Sequence, residues 1–184
     1  MRFVPQAIPE VVIVEPDVHR DGRGFFVETW HAPKFRAGGI DATFVQDNLS
    51  RSVRGTLRGL HAQLARPQGK LVRVVAGEIL DVAVDIRRGS PTFLKHVAAT
   101  LSADNARGMW VPIGFAHGFC VVSETADVEY KCTEVYDPTD ELHVRHDDPA
   151  LGIAWPVATP VLSAKDRAAL GVDALLERFP VYGR

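Results

Sequence analysis

Arg54-Gly-Thr-Leu-Arg58-Gly59-Leu-His61-Ala-Gln63, followed after a short loop by Gln68-Gly69-Lys70-Leu-Val-Arg73, is the stretch whose reading decides the fold. It sets a histidine, a lysine and several arginines inside one strand–loop–strand. Apolar alternation follows at once, so these polar groups are expected on a rigid sheet. At a rise of ~3.3 Å per residue, a hairpin would place His61 and Lys70 opposite each other. A base beside an oxyanion clamp points to enolate chemistry. The plain alternative is a basic strand edge facing water.

Outward from this stretch the chain continues in short strands. Leu80, Val82, Val84 and Ile86 alternate with Asp81, Ala83 and Asp85, the period of a half-buried strand; with residues 72–75 and Gly77 they read as a hairpin. Residues 11–14, 25–30, 95–101, 109–112, 115–122 and 128–133 read as further strands. Asp21-Gly22-Arg23-Gly24 reads as a turn. Phe44-Val45-Gln46-Asp47-Asn48 reads as a strand entering a polar, capped turn whose amides are also suited to ligand hydroxyls. Residues 31–40 allow one turn of helix. The one convincing helix is capped by Ser163, carries Asp166 in its first turn and is split in two by Gly171. Many punctuated strands and little helix predict an all-β antiparallel sandwich or jelly roll with short C-terminal helices, one domain over residues 1–184.

Composition narrows the partners. The 184 residues are 46% apolar and 24% charged, an ordinary globular mixture with enough chain for a substantial core. A net charge of -2 gives no general pull on nucleic acid or anionic lipid, so the basic stretch is a local patch suited to a small anion such as a diphosphate. Cys120 and Cys132 have no framework spacing and read as buried free thiols of a reducing compartment. The start, Met1-Arg2-Phe3-Val4-Pro5, is no signal peptide, and no apolar run reaches the ~20 residues of a membrane span. A soluble, cytoplasmic protein is the expectation.

Several residues can carry chemistry. His117 stands in Pro112-Ile-Gly-Phe-Ala-His117-Gly-Phe, where a histidine inside an apolar strand is costly unless paired. Pro-x-Gly-x-x-His resembles the second motif of metal cupins. The matching first motif offers only His61-Ala-Gln63, and one ligand per strand does not build a three- or four-ligand site, so no metal is expected. Asp166 is either a carboxylate serving a helix dipole or the orienter of a histidine. Tyr130 shares a strand face with Val128 and Cys132, so its ring points inward, either to a carbonyl partner or as a proton donor. Tyr136 is a surface ring or a stacking platform. No nucleophile elbow, phosphate-binding glycine loop, dinucleotide fingerprint or CxxC is present.

Together these pieces resemble the dTDP-4-dehydrorhamnose 3,5-epimerase family. The matching segments are Gly22-Arg-Gly-Phe-Phe-Val-Glu28, Phe44-Val-Gln-Asp-Asn48, Leu57-Arg-Gly-Leu-His61, Gln68-Gly-Lys-Leu-Val-Arg73, Gly77-Glu, Asp81-Val-Ala-Val-Asp-Ile-Arg87, Ser90-Pro-Thr-Phe93, Pro112-x-Gly-Phe-Ala-His-Gly-Phe119, Val128-x-Tyr-Lys131, Trp155-Pro and Leu162-Ser-x-Lys-Asp166. They keep the family's order over nearly the whole chain. The resemblance implies a cupin-type jelly-roll homodimer, no metal or organic cofactor, and a dTDP-linked 4-keto-6-deoxyhexose as substrate. It implies His61 as base, Asp166 as its partner, Lys70 on the enolate oxygen and Tyr130 as the acid on the opposite face. It places Arg23, Glu28, Gln46, Asn48, Arg58, His117, Glu141 and Lys165 around the sugar nucleotide, with Tyr136 on the thymine and part of the N-terminal group coming from the partner subunit.

Three features complicate the match. In a strict strand Arg58 and His61 point to opposite faces, so both line one pocket only if the strand bends at Gly59. Ala62 stands where the family commonly has an aromatic, and the loop Arg145-His146-Asp147-Asp148 lacks a common tryptophan; both losses are expected to open space near the pocket. Relatives with similar residues epimerise only C3 or only C5, and the motifs do not separate these cases. The competing readings are a metal cupin oxygenase and a non-catalytic sugar-nucleotide binder.

Overall fold

A computed structural model describes residues 1–183, in which two antiparallel sheets pack face to face as a jelly roll. Six strands form one sheet in the order β1 (Arg2–Pro5), β2 (Val12–Glu15), β10 (Gly108–Val111), β7 (Lys70–Ala76), β12 (Thr125–Cys132), β5 (Gln46–Val53). Five form the other, in the order β13 (Glu141–His143), β6 (Leu57–Gln63), β11 (Phe115–Val121), β8 (Glu78–Asp85), β9 (His96–Ser102). A separate hairpin, β3 (Val18–Asp21) with β4 (Gly24–Val27), stands apart, and the helices α1 (Ala32–Ala37), α2 (Ala164–Arg167) and α3 (Val172–Leu175) are short. Among the described residues no helix is long and apolar enough to cross a membrane.

The alternation of the strands builds the layers. Val72, Val74, Met109 and Val128 of the six-stranded sheet meet Ile79, Ala83, Val97, Phe115, Phe119 and Val121 of the five-stranded sheet in the central core. At ~1.5–3 kcal/mol for each large side chain removed from water, this layer is the frame on which polar groups can be held. The outer face of the five-stranded sheet is covered by the C-terminal segment, where Val172, Leu175 and Phe179 pack on Leu60, Ala62, Val82 and Val84. The outer face of the other sheet is covered by Phe35 of α1, with Trp30 and Phe44 beside it. Both cysteines are free and buried, as expected.

Two expected hairpins do not form. β6 pairs with β11 and β13, whereas β7 pairs with β10 and β12, so residues 54–73 cross from one sheet to the other. Likewise β7 and β8 belong to different sheets, with Gly77 at the corner. Period-2 alternation gives which way side chains point, and short loops suggest pairing; in a jelly roll the same short loop also serves to change sheets. The Gln46-Asp47-Asn48 segment is no capped turn either: it opens β5 and pairs with residues 130–132 of β12. The strand expected over 25–30 stops at Val27.

Candidate active site

The crossing from sheet to sheet is what makes the site. It sends His61 to one wall and Lys70 to the facing wall of a cavity of about 390 Å³, open at one end of the sandwich, within the size range of a small-molecule site. Eleven of the thirteen residues expected at the site line it: His61, Lys70, Tyr130, Asp166, Gln46, Asn48, Arg58, His117, Tyr136, Glu141 and Lys165.

The bend at Gly59 decides the first wall. His61 pairs with His117 and Arg58 with Phe119, so β6 carries one residue more than β11 between these positions, a β-bulge. Gly59 has φ +126°, and a Cβ there would sit 2.5 Å from the Gly118 Cα and 2.8 Å from the His117 carbonyl oxygen. Only glycine fits both the torsion and the close approach. The bulge resets the alternation, and Arg58 and His61 both face the cavity.

His61 Nε2 lies 2.5 Å from Asp166 Oδ1, in the strong, charge-assisted range. Asp166 is buried in α2, and its other oxygen accepts from the Ser163 hydroxyl at 2.7 Å. Burial alone would raise this carboxyl, but the hydrogen bonds from His61 and Ser163 and the charge of His61 outweigh it and hold Asp166 at about 2. An ionised acceptor at Nε2 fixes the proton there and leaves Nδ1 with the lone pair, 3.9 Å from Glu141 Oε1.

His117, buried in β11, is likewise paired: its Nε2 is 2.7 Å from Asp81 Oδ1, and Asp81 is fully buried. Removing one member of such a pair strands a buried polar or charged group, at about 3–5 kcal/mol. The opposite wall is different. Lys70 of β7 and Tyr130 of β12 make no hydrogen bond or ion pair with a carboxylate among the described residues. Burial pushes the Lys70 ammonium down, with Cys132, Glu141 and Asp81 pulling it back; burial likewise raises the Tyr130 hydroxyl, so it stays protonated at neutral pH.

At the mouth, Glu141 joins Tyr136 and Lys165. The Tyr136 hydroxyl donates to Glu141 Oε2 at 2.9 Å and Lys165 Nζ donates to the same oxygen at 3.1 Å. Burial raises the Glu141 carboxyl, but these donors and the nearby histidines more than reverse it. Gln46 donates to Asn48 Oδ1 at 2.9 Å and accepts from the Tyr136 amide at 2.8 Å. Arg58 donates to Ser52 Oγ at 3.0 Å.

Arg23 and Glu28 do not reach the cavity of their own chain. Arg23 is paired with Asp21 at 2.6 Å on the detached hairpin, and Glu28 with Lys34 at 2.7 Å. Of the two departures from the family pattern, Ala62 borders the cavity and the 145–148 loop lies off it. The Ala62 side chain packs with Leu142 and Val144 in the outer cluster, and the space left there belongs to a second cavity lined by Leu64, Ile113 and Tyr182. His146 sits against Trp155, whose Nε1 donates to the His146 carbonyl oxygen at 2.9 Å. Ala62 thus borders both cavities, whereas the loop turns outward.

Sequence reading missed residues that matter. Asp81 stands in the polar phase of an alternating strand; that phase, shared with Ile79 and Ala83, faces between the sheets, and those two apolar neighbours were its signal. His143 lies directly opposite His61 across β13 and β6, with the rings 4.7 Å apart. The reasoning that one ligand per strand excludes a three-ligand cluster fails here, because His61, His143 and Asp166 come from three elements and bring their ligand atoms within 4.8 Å of one another.

Residues 5–173 match the family profile described as dTDP-4-dehydrorhamnose 3,5-epimerase. Over 169 residues the chain is 53% identical to the dTDP-4-dehydrorhamnose 3,5-epimerase of Pseudomonas aeruginosa, covering 91% of this chain and 93% of that protein. It is 54% identical over 169 residues to the protein of the same name from Neisseria gonorrhoeae, covering 91% of this chain and 52% of that one, so it spans about half the length of this relative. Its fold superimposes on the crystal structure of dTDP-6-deoxy-D-glucose-3,5-epimerase from Legionella pneumophila in complex with dTDP-4-keto-L-rhamnose with a TM-score of 0.96, at 48% identity and covering 100% of this chain and 99% of that one.

Proposed function

The chain belongs to the dTDP-4-dehydrorhamnose 3,5-epimerase family, and from that premise we propose that its cavity inverts C3 and C5 of a dTDP-linked 4-keto-6-deoxyhexose, converting dTDP-4-dehydro-6-deoxy-D-glucose to dTDP-4-dehydro-L-rhamnose. The observation that carries this reading is the split of acid and base between two walls. Inversion requires a proton to leave one face of a carbon and another to arrive on the opposite face. His61, oriented by Asp166, stands on the five-stranded sheet; Tyr130 stands on the six-stranded sheet across the cavity.

In the proposed reaction the C4 ketone acidifies the hydrogens at C3 and C5. His61 Nδ1 takes one proton, and the electron pair of the C–H bond moves onto the 4-oxygen. Lys70, a desolvated ammonium with no carboxylate in contact, gains most when that oxygen becomes negative, so it favours the enolate over the ketone. Tyr130 gives a proton to the opposite face, the ketone reforms, and the imidazolium and phenolate return to their resting states by proton exchange with solvent. Arg58, His117, Gln46, Asn48, Glu141 and Lys165 hold the sugar and diphosphate, and the half-exposed Tyr136 stacks on thymine. No step requires a cofactor.

Two copies complete the site in this reading. The detached hairpin exposes Phe25 and Phe26, and the edge strand β5 exposes Leu49 and Val53, an apolar surface suited to a second copy of the chain. Pairing there would carry Arg23 and Glu28 to the partner's cavity; a monomer mass in sedimentation equilibrium would refute it. Free thiols and a nucleotide-sugar substrate suit the cytoplasm.

Proton NMR in D2O with dTDP-4-keto-6-deoxyglucose tests the chemistry. Deuterium at both C3 and C5, with the L-sugar accumulating on coupled reduction, is the expected result. Deuterium at one carbon would make it a mono-epimerase. None at either, with dTDP still bound, would leave a binding module.

A further inference from the structure

We infer that the catalytic cavity also binds a divalent transition-metal cation, held by His61, His143 and Asp166, and that this cation switches the base off. The three residues project from β6, β13 and α2 with ligand atoms within 4.8 Å of one another. His143 is already arranged as a ligand. Its Nε2 lies 3.0 Å from Glu141 Oε2, and a carboxylate at that distance favours the proton on Nε2 and leaves the lone pair on Nδ1. A carboxylate behind the far nitrogen is the usual support of a metal-bound imidazole. Nδ1 itself is buried with no hydrogen-bond partner, and it stands 4.0 Å from Asp166 Oδ1. Two electron-rich atoms thus face each other across a gap too wide for a hydrogen bond. A cation between them would satisfy both.

Two imidazoles and one carboxylate select zinc, cobalt or a similar ion over magnesium or calcium, which prefer oxygen ligands. The ion replaces the proton shared by His61 and Asp166. That proton moves by way of solvent to Nδ1, so His61 ligates as a neutral imidazole, and the 2.5 Å contact opens to about 3.3 Å, as tetrahedral ligand distances near 2.0–2.2 Å require. The remaining position faces the cavity and takes water. With Nε2 on the metal, its carboxylate shared and Nδ1 now protonated, His61 no longer accepts the substrate proton. The loss of activity rests on the function proposed above; the binding does not.

Cobalt(II) added to the full chain without substrate reads the binding directly. The expected result is visible d–d absorption of a tetrahedral nitrogen–oxygen site, saturating at one ion per chain and displaced by zinc. His143→Gln should weaken cobalt binding by at least about tenfold. Circular dichroism shows that the variant is folded, and, measured against its own metal-free turnover, it should need at least about tenfold more zinc for half-inhibition. His143→Asn provides a second variant of similar polarity. Tetrahedral cobalt absorption and zinc inhibition unchanged in both variants would overturn the assignment, as would absence of cobalt binding at millimolar concentration. A wild-type chain that binds cobalt through His143 but epimerises nothing would refute the proposed function and leave the metal site standing.

Discussion

On the five-stranded sheet, His61 and His117 face the cavity already bonded to carboxylates, Asp166 at 2.5 Å and Asp81 at 2.7 Å; on the six-stranded sheet, Lys70 and Tyr130 face it without one. The first wall settles its electrostatics within the protein. Each histidine has its tautomer and orientation fixed before a ligand arrives. The second wall leaves a desolvated cation and a desolvated phenol waiting for a partner. A base must be ready in the ground state, whereas an oxyanion clamp is useful only if its best partner appears in the transition state. Had Lys70 been given an aspartate, the enolate would have had to displace it.

The comparison breaks most visibly at His61. His61→Ala should lower both epimerisation and solvent exchange at C3 and C5 by about 10³-fold or more, while dTDP binding survives. Exchange followed by NMR in D2O and nucleotide titration measure the two halves. A variant that kept most of its exchange would move the base to another residue and end the reading of the first wall.

Tyr130→Phe sharpens the other side. Net inversion should fall by about 10²-fold or more, because the proton for the opposite face is gone. Exchange should persist, since His61 still removes a proton and can return a deuteron to the face it came from. If exchange fell in parallel, Tyr130 would be needed to form the enolate, and the division of labour between the walls would be wrong.

How much of this was legible in the sequence follows from what each signal reports. Alternation along residues 128–132 gave the inward face of Tyr130 correctly, because a strand's period does not depend on which sheet it joins. The Ser163 cap and the break at Gly171 are local and also held. The partners of β6 and β7 were not legible: a jelly roll trades sheets at loops that look like hairpin turns, and the pairing is decided by packing between layers. The packing of Ala62 in the outer cluster and the proximity of His143 to Asp166 were hidden for the same reason. Gly59 lay between these cases. The conflict between Arg58 and His61 was visible, and so was the residue able to resolve it, but the bulge itself needed β11 opposite.

The smallest expected effect concerns the price of the first wall's readiness, and it appears as pH dependence of stability. Asp166 is held at about 2 in the folded protein against 3.8 for a free aspartate side chain. A carboxyl depressed on folding stabilises the fold fully above its unfolded value and loses that contribution as pH falls through its folded value. At 1.36 kcal/mol per pH unit, the shift corresponds to about 2 kcal/mol, lost between about pH 5 and pH 2. Asp166→Asn has no such carboxyl to protonate. Urea unfolding midpoints should therefore fall more steeply with acid in the wild type than in the variant, by that amount over this interval, while acids common to both cancel in the difference. Parallel curves would mean that the His61–Asp166 contact is no stronger in the fold than hydration is in the unfolded chain. The first wall would then hold a well-placed but unstabilised base, and its contrast with Lys70 and Tyr130 would be one of geometry alone.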